Sequence, residues 1–212
     1  MIEKRQNQVY LAAVGEFVER SFAAAGNRLV PLHLKRTVDW LRKLHPAADE
    51  ALLVAGMAHD LERAFREEEV YARMFRSAGA FRDPAFLEYH QRRSAEITDA
   101  YLAARGCPAP MRTKIFHLIN HHEVGGDPES DLLKDADSLS FFTTNVEMFV
   151  TVKTRESSPA KVRDKFAWMY ERISSPTARR RCRSLYEAAL ARLDEFVAAG
   201  EPAETNGKES PP

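Results

Sequence analysis

Apolar residues along this chain recur at helical spacing, and prolines, glycines and capping residues cut the pattern into lengths of one helix each. Convincing period-two alternation, the mark of a half-buried strand, is absent. A first helix is predicted over residues 6–25, with Val9, Ala13, Phe17 and Phe22 on one side and Gly26-Asn27 as its stop. Pro31 suits the first turn of a second helix reaching Leu44, and Pro46 ends it. Asp49 caps a third helix that carries Leu52, Leu53, Gly56, His59 and Asp60. A short helix is predicted near 70–75, and Asp83-Pro84 then opens a long one to about Ala104. Further helices are predicted over 111–121, 129–152, 159–173 and 176–199. Such pieces bury their apolar stripes only against one another, so the expected architecture is all-α, a compact multi-helix bundle.

The 212 residues suit one domain over 1–200, with a core over about 30–150 and a C-terminal helical pair over 159–199. Residues 201–212 (EPAETNGKESPP) offer nothing to pack and are expected to be a disordered tail. The 31 basic and 31 acidic residues balance, which argues against nucleic acid or acidic lipid as a partner. Cys107 and Cys182 match no metal or redox spacing and read as reduced thiols. The first residues lack a signal-type apolar run, and no stretch is long enough for a membrane span, so a cytoplasmic protein is expected. Oligomeric state stays open, a homo-oligomer included.

Of the 7 histidines, His33, His59, His90, His121 and His122 fall into a series at helix-sized intervals. Asp60 adjoins His59, and Asp135 and Asp137 follow the series in the stretch KDADSL. A single histidine on an apolar face is most often a hydrogen-bonded core group. Here the members are spread over five predicted helices, in an order that a bundle can bring together. Imidazole and carboxylate are the ligand set of a borderline-hard divalent metal. Ala55 and Gly56, one turn before His59 and Asp60, would let neighbouring helices approach closely.

The order His33, His59-Asp60, Asp137 resembles the HD-domain superfamily of metal-dependent phosphohydrolases, over about residues 30–140. His90 and the pair His121-His122 resemble the extended, binuclear pattern of its HD-GYP branch. The Gly-Tyr-Pro signature of that branch is absent after the pair, where the chain reads EVGGDPES, which argues against cyclic dinucleotide hydrolysis. The resemblance implies that His33, His59, Asp60 and Asp137 hold one divalent ion (Mn, Fe, Zn, Mg or similar). Asp60 would bridge to a second ion on His90, His121 and His122, with Asp137 preferred to Asp135. Many relatives carry a glutamate three residues past the metal aspartate; this chain has Arg63 there, which suits a phosphate clamp. Lys114, Arg36, Arg92 and Arg93 are weaker phosphate candidates. Phe141, Phe142 and Trp168 could stack on a base, although core packing is the better expectation for each.

The function expected from this pattern is hydrolysis of a nucleotide or other small phosphate ester by a metal-activated water. The alternative is an HD-fold module that binds a nucleotide or regulates without turnover. A plain helical interaction domain with scattered histidines is the third reading.

Overall fold

In the computed structural model of the protein, residues 8–66 and 80–200 are described, and among them every regular element is helical. The predicted helix near 70–75 lies outside the described residues. Helix α1 spans Val9–Ala24, α2 Leu29–Leu44, α3 Glu50–Ala58, α4 Pro84–Ala103 and α5 Ala109–Asn120. After these come α6 (Pro128–Thr144), α7 (Pro159–Glu171) and α8 (Pro176–Gly200). None of these helices is long and apolar enough to cross a membrane.

Helix starts follow their caps. Asp49 accepts from Leu52 N, Asp83 from Phe86 N, Asp127 from Ser130 N and Ser158 from Lys161 N, and the last three precede a first-turn proline. Asn27 does more than stop α1. Its side-chain oxygen accepts from Leu29 N and Val30 N at the start of α2. The stripe of α1 is rotated from the predicted one: Leu11, Val14, Val18 and Phe22 are buried, and Val9 is exposed. Those four continue the three-and-four spacing without a break, and Phe17 instead stacks on Tyr101.

The predicted helix over 129–152 ends early, at Thr144. The hydroxyls of Thr143 and Thr144 bond back to Ser140 O, offering the backbone a competing partner where the helix stops. Short helical pieces with a π-helical segment at Phe149–Lys153 carry the chain on to α7.

Two apolar clusters fill the interior. One joins α1–α5 with the start of α6, and the other joins the end of α6 with α7 and α8; Trp40 and Leu44 pack against both. Helix α3 is apolar all round and buried from Ala51 to Ala58, as its position among α1, α2 and α5 requires. Gly56 allows α3 to lie close against α2, since a Cβ there would sit 2.5 Å from Leu41 Cδ1. Helix α2 in turn runs along α6, which brings His33 beside the late aspartates.

Candidate metal centre

The centre is built where helices end. Helix α3 stops at Ala58; His59 keeps helical angles, and Asp60 leaves them for the 3₁₀ turn Leu61–Ala64. Helix α5 stops at Asn120, just ahead of His121 and His122. The last carbonyls of a helix lack intrahelical partners, and the imidazoles supply them. His59 Nδ1 donates to Gly56 O (3.0 Å) and His122 Nδ1 donates to Ile119 O (2.8 Å), the same three-residue step back in both cases. A carbonyl only accepts, so the proton sits on Nδ1 and the Nε2 lone pair is left for the interior.

His33 reaches the same state from the middle of α2. The Ser140 hydroxyl gives its hydrogen to His33 O (2.7 Å) and so accepts from His33 Nδ1 (2.9 Å). On α4, His90 Nδ1 donates to the buried carboxylate Glu62 Oε2 at 2.8 Å, and Glu62 is itself held by Arg66. All four imidazoles therefore have Nδ1 tied and Nε2 turned inward. Their rings form a row, with centroids 5.4 Å apart for His33–His59, 4.9 Å for His59–His122 and 5.3 Å for His90–His122.

Carboxylates face those nitrogens. Asp137 Oδ1 lies 2.9 Å from His33 Nε2 and 3.5 Å from His59 Nε2, and Asp60 Oδ1 lies 2.8 Å from His90 Nε2. With Nδ1 protonated, each contact sets acceptor against acceptor and is attractive only with a proton or a cation between the two. Among the described residues, His59 Nε2 and His122 Nε2 are buried without any hydrogen-bond partner. These groups can hold a metal ion: ligand atoms of His33, His59 and Asp137 lie within 4.8 Å of one another, as do those of His59, Asp60 and His122, and those of His90, His122 and Glu123. Neighbouring triads share His59 or His122.

The electrostatics follow from burial opposed by charge. Burial pushes His122 down to about 4, with the Glu123 charge opposing only in part, so the ring is neutral at pH 7. Burial also lowers His59 and His90, but Asp137 outweighs it for His59, and Asp60 with Glu62 for His90, leaving both raised. Burial would raise Asp60 and Asp137. Arg63 with His59 and His90 overcomes it for Asp60, Arg172 with His33 and His59 for Asp137, and both carboxyls lie well below the usual range.

Several expected residues stand elsewhere. His121 stays out of the cage: its Nδ1 donates to His117 O (2.7 Å), and its ring lies 4.3 Å from the His117 ring on the outer side of α5. Stepping back four residues instead of three turns it away from its neighbour His122. Lys114 is spent on Asp49 and Glu129, 2.8 Å from each, where it ties the starts of α3 and α6. Asp135 is structural, accepting from Ser174 N and Ser175 N ahead of α8. Arg63 does reach the centre, with Nε 2.8 Å from Asp60 Oδ2 and its side chain 41% exposed.

Glu62, Glu123 and Arg172 have no assigned role in the sequence pattern. Arg172, just past α7, pairs with Asp137 Oδ2 and Glu123 Oε2 and donates to Ser138 Oγ, so Asp137 offers Oδ1 to the histidines and Oδ2 to a guanidinium. Glu123 directly follows the His121-His122 pair and Glu62 stands two residues past Asp60, a signal open to sequence reading; Arg172 carries no such signal.

A family model described as "Domain of unknown function (DUF4202)" matches residues 26–192, most of the chain. The chain belongs to this DUF4202 family. The matched span takes in every residue of the cage together with Glu123 and Arg172, and omits all of α1. No curated protein and no solved structure matches the chain.

Proposed function

We propose that this protein is a metal-dependent phosphohydrolase acting on a nucleotide or other small phosphate ester, as its resemblance to the HD-domain superfamily implies. One observation carries the metal part of the reading: four buried imidazoles have Nδ1 committed to a fixed acceptor and Nε2 directed at the same interior, where Asp60 and Asp137 meet them. Random core histidines would not share that state.

His33, His59, Asp60 and Asp137 would hold one divalent ion, and His90 and His122 a second through Asp60. Glu123 takes the place expected of His121 in that set. A bound divalent ion supplies a water acidified toward neutrality and neutralises charge growing on phosphoryl oxygens. The chain's own groups do the rest. Ser140, Glu62 and the carbonyls of Gly56 and Ile119 hold the imidazoles in one tautomer. Asp60 Oδ2 holds Arg63 Nε, so the exposed part of that guanidinium faces incoming phosphate oxygens. In the reaction the ester P–O bond breaks, the water oxygen bonds to phosphorus, and a proton passes to the departing alcohol.

Elemental analysis joined to a phosphate-release screen over nucleotides and small phosphate esters tests this. Near-stoichiometric metal and released phosphate are expected, both largely lost in Asp60→Ala. Metal-replete protein without bound metal would overturn the reading. Bound metal with a nucleotide-dependent melting shift and no released phosphate would favour a regulatory nucleotide-binding module instead.

A further inference from the structure

The cations around the cage are nearly all committed to carboxylates. Arg63 pairs with Asp60, Arg66 with Glu62, and Arg172 with both Asp137 and Glu123. Lys134, also buried nearby on α6, pairs with Asp131. Lys165 differs. This residue of α7 is half-buried, yet among the described residues its Nζ has neither an ion pair nor a hydrogen bond. Rings hold it instead: Nζ lies 4.1 Å from the Trp168 ring centroid, 5.0 Å from that of Phe81 and 5.8 Å from that of Phe141. Trp168 also lies beside Arg172, whose guanidinium carbon is 4.7 Å from its ring, so the aromatic holder adjoins the charged wall of the cage. The Arg82–Asp164 ion pair fixes the turn carrying Phe81 against α7.

Aromatic faces attract an ammonium but satisfy none of its three N–H donors. Burial, with the charges of Arg172 and Arg63, lowers Lys165 to about 7 against the opposing pull of Glu123 and Asp137, and an anion on its unused donors would offset that cost. Arg63, Arg66 and Arg172 offset all but one of the charges of Asp60, Glu62, Asp137 and Glu123, and a charged Lys165 offsets the last, so a divalent ion there would leave net positive charge. An incoming group with more than one negative charge matches it.

We propose that Lys165, in its holder of Trp168, Phe81 and Phe141, is the principal substrate-phosphate contact of this protein, contributed by α7. Lys114, expected from sequence in that role, is consumed in structural ion pairs, and Arg63 keeps one edge on Asp60. The inference rests on the phosphohydrolase reading only for what the phosphate belongs to. The ligand class is a phosphate dianion whose N–H···O bonds come from an amine in an aromatic cup.

The test is a titration with inorganic phosphate, followed by Trp168 emission. The chain has 2 tryptophans, so Trp40→Phe leaves Trp168 as the only reporter; calorimetry with Trp40 intact gives the same binding constant independently. Both run on Mn-loaded protein and again in chelator. Lys165→Met should weaken phosphate binding about tenfold or more in both conditions, the scale of one lost charge-assisted hydrogen bond, and Lys165→Arg should restore most of it. Metal content and melting temperature should stay near wild type in both variants. Phosphate affinity in Lys165→Met within about twofold of wild type would overturn the proposal, as a difference that small is below the effect of one such bond. Wild-type protein that binds no phosphate would overturn it equally. Protein that takes up no metal, yet loses phosphate binding in Lys165→Met under chelator, would sink the metal reading and leave the Lys165 subsite standing.

Discussion

His121 and His122 share one helix end, yet one ring lies on the outer side of α5 and the other is buried at the heart of the cage. The difference comes from which carbonyl takes the Nδ1 proton. His122 reaches back three residues to Ile119 and points its lone pair inward; His121 reaches back four to His117 and stacks on that ring. The inner region fixes every imidazole through Nδ1 and faces it with a carboxylate. In the outer region His117 meets the exposed cap Asp127, an arrangement that serves the start of α6. An identical residue type at adjacent positions thus turns a ligand nitrogen toward the interior in one place and packs against its own helix in the other.

The sharpest way to break this comparison is metal analysis of two alanine variants. His122→Ala should lower metal affinity by at least about tenfold, the minimum expected when a ligand itself and not its support is removed. His121→Ala should keep wild-type metal content. Equal losses in the two would mean that the cage includes both rings.

The aspartates of KDAD repeat the contrast two residues apart. Asp135→Ala should cost about 1–3 kcal/mol of stability by leaving Ser174 N and Ser175 N unpaired, read by denaturant unfolding, with metal content preserved. Asp137→Ala should do the opposite to metal, releasing it. If Asp135→Ala strips the metal while the fold holds, the ligand assignment must move to Asp135.

The smallest effect belongs to the outer cap. Asp127→Ala should cost about 1 kcal/mol, as lost N-caps do. Burial alone would raise the Asp127 pKa, but hydrogen bonds from Ser130, His117 and the backbone hold it below the ordinary 3.8. A depressed carboxyl stabilises the fold above its unfolded-state value and loses that contribution as pH falls below it. Acid unfolding should therefore be less steep below about 3.8 in Asp127→Ala than in wild type. An unchanged acid limb would place the cap's charge outside the stability of α6.

Much of this was legible without coordinates. Asp49, Asp83-Pro84 and Asp127-Pro128 announce helix starts because capping and proline chemistry act within four residues. The His-Asp and His-His pairs point to a candidate centre only through their order over separate helices with Asp137, since each pair alone also has a structural reading. What failed is also local in its cause. Thr143 and Thr144 bond back to Ser140 O where the helix breaks despite continuing periodicity, and His121, although adjacent to His122, bonds His117 O instead of facing the cage.

The sequence by itself determined the helical class, the helix starts and the residue types of the centre, since these depend on short-range sterics and hydrogen bonding. Tertiary structure alone decided that Ser140 sets the tautomer of His33 from 107 positions away, and that Glu123 stands where His121 was expected. It also decided that Arg172, from beyond the ordered motif, reaches the centre, and that Lys165 is held on the Trp168 ring beside it. Side-chain direction at a helix end depends on which carbonyl is within reach, and the convergence of distant helices depends on how their apolar faces pack. Neither quantity is written in the spacing of residues along the chain.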